Sequence, residues 1–182
     1  MTTFKLCFSV LAVVSVATLV GCSTTPTQVA DVSGSVRTSL QQAGLKDVSV
    51  SQDRDKGIVT LGGHVARDGD KLQAETIARS LAGSQVVANQ IAVIPPGVES
   101  EAKTVNSDLD KGIESNLHAA LIQYNLNESV KYSVKNHVVT LTGEVDSQAK
   151  RARAEEIAVA IPNVQQVVNV LQVKGQKATS SK

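Results

Sequence analysis

The sequence predicts an α+β fold with two tandem αββαβ domains, each a mixed three-stranded sheet with two helices on one face. Three observations support this prediction. A block of residues recurs at an offset of 80 positions, so that residues 57–65 correspond to residues 137–145. Apolar side chains recur at helical spacing before each block and alternate with polar ones inside it. The segment Pro95-Pro96-Gly97 separates the two copies.

The first copy is predicted to span residues 29–94. Val36 and Leu40 lie at helical spacing, and Gly44 provides a stop for that helix. Residues 58–65 are rich in β-branched side chains and follow a turn cluster, which indicates the second strand of a hairpin. The strand–helix–strand unit that follows closes as a right-handed parallel crossover, which gives the mixed sheet.

The second copy is predicted over residues 107–173, after a linker at 95–106. Its first helix is predicted from about Ser107 to Tyr124, with Tyr124 on the apolar core stripe. The polar tail at 174–182 is predicted to be disordered. Because the offset is uniform, the repeats are expected to be two domains that fold separately.

The N-terminus carries the features of a secretory leader. Lys5 precedes an apolar run at residues 8–20, which is shorter than the about 20 residues that a transmembrane helix needs. The run ends in Leu19-Val20-Gly21-Cys22, which resembles the lipobox of bacterial lipoproteins. That resemblance implies a signal peptide at 1–21, acylation of Cys22 and a lipidated tether at 22–28.

Sorting and redox state follow from the same leader. By resemblance to bacterial sorting rules, Ser23 favours an outer-membrane lipid anchor on the periplasmic side. Cys7 leaves with the leader and Cys22 is acylated, so the chain after residue 22 has no thiol to form a disulfide. The folded part must therefore be stabilised by its core.

Composition argues against nucleic acid as a partner. Of the 18 basic residues only Lys5 precedes Cys22, so the remaining basic side chains balance the 17 acidic ones. A phosphate-backbone binder needs a basic face. After the leader the only aromatic residues are Tyr124 and Tyr132, too few for a base-stacking platform.

Catalysis and metal binding find no support in the sequence. His64, His118 and His137 have no metal-ligand spacing among themselves. No glycine-rich phosphate loop or nucleophile elbow is present. The chain is therefore predicted to be no enzyme and to need no metal or cofactor.

The motif set resembles the BON family, named for bacterial osmotically inducible and nodulation proteins. The pattern Val-x-Leu-x-Gly-x-Val, then Ala-x-x-Ile-Ala, then Val-x-Asn-x-(Ile/Leu)-x-Val, stands once in each copy and covers most of the chain after the leader. Its hallmark residues are Gly63 and Gly143 in the strands, and Asn89 and Asn169 near the end of each copy. Glycine is expected to serve the backbone geometry, and asparagine a local hydrogen bond.

The resemblance also implies a function and a site. Members with a lipobox and two such domains bind anionic phospholipid, support outer-membrane integrity, and meet the membrane with the first helix of the second domain. Leu109 stands here where a homologue carries an aromatic residue. On the matching helix of this chain the candidate lipid contacts are Leu109, Lys111, Ile122 and Tyr124.

Alternatives remain open for both the residues and the role. Ile122 lies off the core stripe, but a single exposed apolar residue is common. Lys111, Lys131 and Lys135 could meet head groups, but each has an acidic neighbour and a solvated face explains them equally. The alternative function is a periplasmic protein-interaction adaptor or holdase-like stress factor, with envelope proteins as partners.

Overall fold

The computed structural model describes residues 28–175. The predicted signal peptide, the acylation site Cys22, nearly all of the tether and the tail beyond Gly175 lie outside these residues. Within 28–175, no helix combines the length and the apolar character needed to cross a membrane.

The first domain alternates helix and strand in the predicted order. Its elements are α1 (Ser33–Gln42), β1 (Val48–Asp53), β2 (Ile58–Val65), α2 (Asp68–Ala82), β3 (Val86–Asn89) and β4 (Ala92–Val93). A side chain of β1 caps the start of α1. The side-chain oxygen of Gln52 accepts hydrogen bonds from the backbone N–H groups of Val32 and Ser33 at 2.9 and 3.2 Å. These N–H groups have no partner inside the helix.

The second domain repeats this order. Its elements are α3 (Glu99–Gln123), β5 (Val130–Lys135), β6 (Val138–Val145), α4 (Gln148–Val159), β7 (Gln166–Asn169) and β8 (Gln172–Val173). The predicted start of the first helix near Ser107 is wrong, because α3 begins eight residues earlier at Glu99. Glu99 also accepts from the backbone N–H of Gly97 at 2.9 Å, so the predicted linker is helical over most of its length.

Both sheets have the predicted mixed topology. In the first, β1 and β2 are antiparallel and β3 runs parallel to β2; the second repeats this with β5, β6 and β7. The last strand of each domain is broken, and its second piece, β4 or β8, pairs parallel with the same central strand. Each sheet therefore has four segments along three strand paths.

The helices of each domain pack on one face of its sheet. In the first domain the core joins Val36 and Leu40 of α1 to Val59 and Leu61 of β2. In the second domain the equivalent core is formed by Leu117, Leu121, Leu141, Ala154 and Ala158. Buried alanines on α2 and α4 allow these helices to approach the sheets closely.

The opposite faces of the two sheets meet each other. Ile58 and Ala88 of the first domain form a third buried cluster with Val138 and Val168 of the second. These residues are equivalent under the offset of 80, so the contact relates the domains by a pseudo-two-fold axis. The central strand and the last strand of each sheet are thus covered by the other domain, whereas the outer face of β1 and of β5 stays exposed.

Candidate functional site

The outer face of α3 carries two of the four predicted lipid contacts. Lys111 and Ile122 are eleven residues apart, which at 100° per residue places them on the same side of the helix. Ile122 is 49% exposed. Lys111 is exposed, and its Nζ lies 3.1 Å from Asp108 Oδ1, a surface ion pair that leaves the ammonium group accessible.

The other two predicted contacts lie elsewhere. Leu109 is half-buried and turned away from Lys111 and Ile122. Tyr124 is 44% exposed and stacks under the Arg153 guanidinium, 4.4 Å from the ring centroid. The expectation that Tyr124 packs in the core is wrong, because α3 ends at Gln123 and Leu126 enters the core in its place.

A pocket of about 300 Å³ opens beside Lys111. Lys103 and Lys135 share its wall with Lys111, and the facing carboxylates belong to Asp110 and Glu114. Sequence reasoning missed Lys103 as a member of this set, because it assigned that residue to the linker. The three lysines converge only because α3 extends back to Glu99.

Asp110 holds α3 against the hairpin of its own domain. Its carboxylate accepts from the backbone N–H groups of Asn136 at 2.7 Å and His137 at 2.8 Å. Both turn residues have positive φ angles, 46° and 66°, so these bonds stabilise an unusual backbone. Asp110 is therefore directed at the turn, which leaves Glu114 as the other carboxylate that faces the three lysines of the pocket.

The two motif asparagines make the same contacts in both domains. The Asn89 side-chain amide donates to the Lys71 carbonyl at 3.2 Å and to the Glu75 carboxylate at 3.0 Å. Asn169 donates to Arg151 and Glu155 at 3.1 and 2.9 Å. The side-chain oxygens also accept from the backbone two residues on, where the last strand is broken. Each asparagine thus ties the broken strand to the second helix.

The two motif glycines are required by backbone geometry. Gly63 has a φ of 88° and Gly143 a φ of 115°, both in the region that side chains disfavour. A Cβ atom would collide with the carbonyl oxygen of Asp47 at the first position and of Ser129 at the second. These contacts lie within the hairpins, so the two glycines are explained by backbone geometry and not by ligand binding.

Two further features bear on a site in the described part of the chain: the search for metal-ligand clusters and a half-buried lysine with a shifted pKa. Across residues 28–175, His, Cys, Asp and Glu side chains form no group of three that could hold a metal ion. The pKa of Lys71 lies below its ordinary value, mainly because burial disfavours the charged ammonium group. The nearby carboxylates of Asp68 and Glu75 raise this pKa but do not outweigh burial. Lys71 instead donates to Gln165 of the second domain at 3.1 Å, a contact between domains.

Comparison with known proteins identifies the repeats. The BON domain model matches residues 28–95 and again residues 109–175. Osmotically-inducible protein Y of Escherichia coli strain K12 is 31% identical over 132 residues, which cover 71% of this chain and 64% of that protein. The chain therefore spans less than two thirds of that relative.

Solved structures add little. CdsD, a structural protein of the type III secretion system of Chlamydia trachomatis, aligns over 76% of this chain and 90% of the CdsD chain. The identity is 15% and the TM-score 0.34. A structure of the C-terminal domain of the same protein gives the same identity and TM-score over 79% of this chain and 97% of its own. At this TM-score the likeness supports no conclusion about function.

Proposed function

Because this chain belongs to the BON domain family, we propose that it is a non-enzymatic lipoprotein that binds anionic phospholipid and supports outer-membrane integrity. The observation that carries the proposal is the outer face of α3, where an accessible lysine and an exposed isoleucine share one side of a helix. Apolar and cationic groups on one face are the combination that an anionic membrane surface attracts.

The membrane anchor is the acyl chains on Cys22. Each buried methylene contributes about 0.8 kcal/mol, and two or more chains hold a protein stably. Cys22→Ala should abolish acyl labelling and move the chain from the membrane pellet to the soluble fraction, whereas Ser23→Ala should leave both unchanged. Acylation and sedimentation of Cys22→Ala at parent levels would show that Cys22 is not the anchor site.

The lipid contact of the folded part is weak by itself. A half-exposed isoleucine gains free energy only for the area that it buries, and a lysine near an anionic surface adds about 1 kcal/mol. We therefore expect binding to depend on the anchor for strength and to fall as salt screens the lysines. The role of the α3 face is to select anionic head groups once the anchor has brought the domain to the bilayer.

A liposome experiment tests this contact directly. Residues 23–182 without the acyl chains are sedimented with vesicles of phosphatidylcholine alone or mixed with phosphatidylglycerol. Lys111→Glu with Ile122→Asp should reduce binding to the anionic vesicles. The matched control is Lys46→Glu with Leu72→Asp, which makes the same changes at exposed positions of the first domain.

Thermal unfolding of both double variants must stay close to the parent, so that a loss of binding is not a loss of fold. If the parent binds both kinds of vesicle equally, the proposal that it binds anionic phospholipid is wrong. If the two double variants bind anionic vesicles to the same extent, the assignment of binding to the outer face of α3 is wrong, although phospholipid binding itself stands.

A periplasmic protein-interaction adaptor or holdase-like stress factor is the second candidate. A specific observation favours it, since the E. coli relative is by its name osmotically inducible. Exposed apolar side chains such as Leu72, which is 65% exposed, offer contacts for a protein client. Suppression of client aggregation by a chain that does not distinguish the two vesicle types would favour this candidate.

A further inference from the structure

A second surface lined by lysines lies on the second domain, and the turn that carries Lys56 of the first domain closes one side of it. It is an open groove of about 750 Å³ on the side of the second sheet that faces away from its helices. Four lysines reach it from four separate elements: Lys56, Lys131, Lys150 and Lys174. Sequence reasoning weighed Lys131 as a head-group contact and Lys150 as part of a basic run with Arg151 and Arg153. Of the four lysines, only Lys56 comes from the first domain.

The charges in the groove are unevenly compensated. The facing carboxylates belong to Glu128, Glu144 and Asp146. Asp146 is shared by two lysines, with 2.7 Å to Lys150 Nζ and 3.4 Å to Lys174 Nζ. Hydrogen bonds from Lys150 and then Lys174 hold the pKa of Asp146 below its usual range, so one carboxylate serves two ammonium groups.

Lys131 and the groove floor complete an anion-binding set. In the described chain Lys131 takes part in no ion pair, whereas Lys56 is paired with Asp53 at 2.5 Å. The floor adds the side-chain amide of Asn125, whereas the hydroxyls of Thr142 and Ser129 donate to the carbonyls of Lys131 and Leu126 at 3.5 and 3.3 Å. An amide donor beside ammonium groups is suited to phosphate oxygens.

The pseudo-two-fold axis explains why this groove is open. Under the offset of 80, Lys56 corresponds to Asn136 and Gln172 to Ala92. On that equivalent side Asn136 and Ala92 line a smaller pocket of about 300 Å³ together with Lys103 and Asn106 from the first half of α3. The counterpart of α3 is α1, which begins at Ser33 and lacks such an extension among the described residues.

The described chain enters the molecule next to this groove. The Gln28 side-chain amide donates to Asp55 at 2.8 Å, and Val29 and Arg54 exchange two hydrogen bonds of 3.3 and 3.0 Å. Both partners lie in the turn that also carries Lys56. Cys22 precedes Gln28 by six residues, which span at most ~20 Å at ~3.3 Å per residue. An acyl anchor at Cys22 therefore holds the bilayer near the groove.

We propose that the groove lined by Lys56, Lys131, Lys150 and Lys174 binds the phosphate head group of an anionic phospholipid in the membrane that holds the Cys22 anchor. This inference rests on the proposed function and deepens it, because it adds a site on the anchored side of the molecule. The groove volume accommodates a whole head group, whereas the α3 face offers only a surface contact.

Hydrogen–deuterium exchange of the acylated full chain in nanodiscs tests the site. Phosphatidylcholine discs are compared with discs that also contain phosphatidylglycerol. We expect the anionic discs to slow exchange in segments 128–131 and 142–146. Lys131→Glu should abolish that protection and leave the protection of α3 unchanged, and Lys46→Glu, with the same change of charge, should preserve both.

The remaining outcomes separate the site from the function. Protection of α3 without protection of the groove overturns the groove and leaves the proposed function standing, whereas no protection in either place overturns both. Equal protection in the two kinds of disc overturns the groove as an anionic-lipid site, because protection then does not depend on the anionic head group. Protection by inorganic phosphate in phosphatidylcholine discs also overturns it, because the ligand is then a free anion. The unmodified chain decides these cases even if Lys131→Glu fails to fold.

Discussion

The two domains share a core and differ in what covers the outer parts of their sheets. Beside the first domain the N-terminal half of α3 lines a small pocket with Ala92, whereas the equivalent part of the second domain lines a larger open groove with Lys131, Lys150 and Lys174. The helices differ accordingly, since α1 has 10 residues and α3 has 25. One extension of one helix therefore gives two copies of a domain different surfaces.

The difference teaches where a duplicated domain is free to change. The glycines and asparagines of the motif keep their contacts in both copies, because backbone geometry and buried polar groups leave no alternative. Positions that face the other domain or the solvent have diverged, such as Val86 against Gln166. Residues that carry function are accordingly expected among the positions that differ between the two copies. Positions that are the same in both copies are expected to serve stability.

The largest effect is expected from the motif glycines. Gly63→Ala and Gly143→Ala should each lower the free energy of unfolding by about 1–3 kcal/mol for the left-handed backbone alone, with more from the collision with the facing carbonyl. Urea unfolding measures this loss. If the domains unfold separately, each variant should shift only the transition of its own domain.

Gly112→Ala is the matched control for both variants. Gly112 lies inside α3 with open space around it, so alanine should stabilise the helix by up to about 1 kcal/mol. Unchanged urea midpoints for Gly63→Ala and Gly143→Ala would show that both hairpins can relax, and the claim of a shared backbone constraint would fail.

Replacing the two motif asparagines should cost different amounts of stability, because the two side chains are buried to different extents. Asn89 is 2% exposed, whereas Asn169 is partly open to water. Asn89→Ala should cost about 1–3 kcal/mol, because it leaves the Lys71 carbonyl without that donor, and Asn169→Ala should cost less because water can replace the amide. Equal losses of unfolding free energy would contradict this difference.

The Asn89 effect should depend on pH through Glu75. Burial raises the pKa of Glu75, but hydrogen bonds from Asn89 and Arg79 outweigh it, and the pKa lies below its ordinary value of 4.5. A lowered pKa contributes stability above the ordinary value that is lost as pH falls through the folded-state value. The difference between Asn89→Ala and the parent should therefore shrink as pH falls below 4.5 towards the lowered folded-state value, and a constant difference in acid titrations of unfolding would exclude the coupling.

The sequence predicted the domain fold because its signals are local. Periodicity, turn residues and the duplication determine helices, strands and their order without any knowledge of the partner domain. The contact between domains was missed, although a signal exists in the adjacent apolar pairs Ile58-Val59 and Val138-Val139. Two neighbouring buried side chains in a strand point to opposite faces, which indicates that both faces are covered.

The candidate sites could be predicted only in part. Lys111 and Ile122 follow from the periodicity of one helix, and their shared face needs no tertiary information. Lys103 was not predicted, because the sequence Pro95-Pro96-Gly97 indicated a linker at the place where α3 begins. Lys56 joins the groove through the packing of the domains, and Lys174 through the ion pair of its Nζ with Asp146. No spacing in the sequence encodes either contact.

The smallest expected effect concerns Gln166, which bridges the two domains. Its side-chain amide donates to the Val87 carbonyl at 2.8 Å, and its oxygen accepts from the Asn89 N–H at 2.9 Å, so it covers the open edge of β3. The equivalent position holds Val86, which is 40% exposed. Gln166→Val should cost about 0.5–1.5 kcal/mol per hydrogen bond lost, measured by urea unfolding.

The reciprocal exchange tests the pseudo-two-fold axis itself. If the axis holds at this position, a glutamine at position 86 faces the edge of β7 as Gln166 faces the edge of β3. Gln166→Val combined with Val86→Gln should then recover the stability that Gln166→Val loses, because the same two hydrogen bonds form on the other domain. Val86→Gln alone is the control, and it should raise the free energy of unfolding by about what the double variant recovers, because the new bonds form while Gln166 keeps its own. If the double variant is no more stable than Gln166→Val, the axis relates the buried apolar cluster but does not relate the strand edges. The domains then meet asymmetrically where β3 and β7 lie side by side.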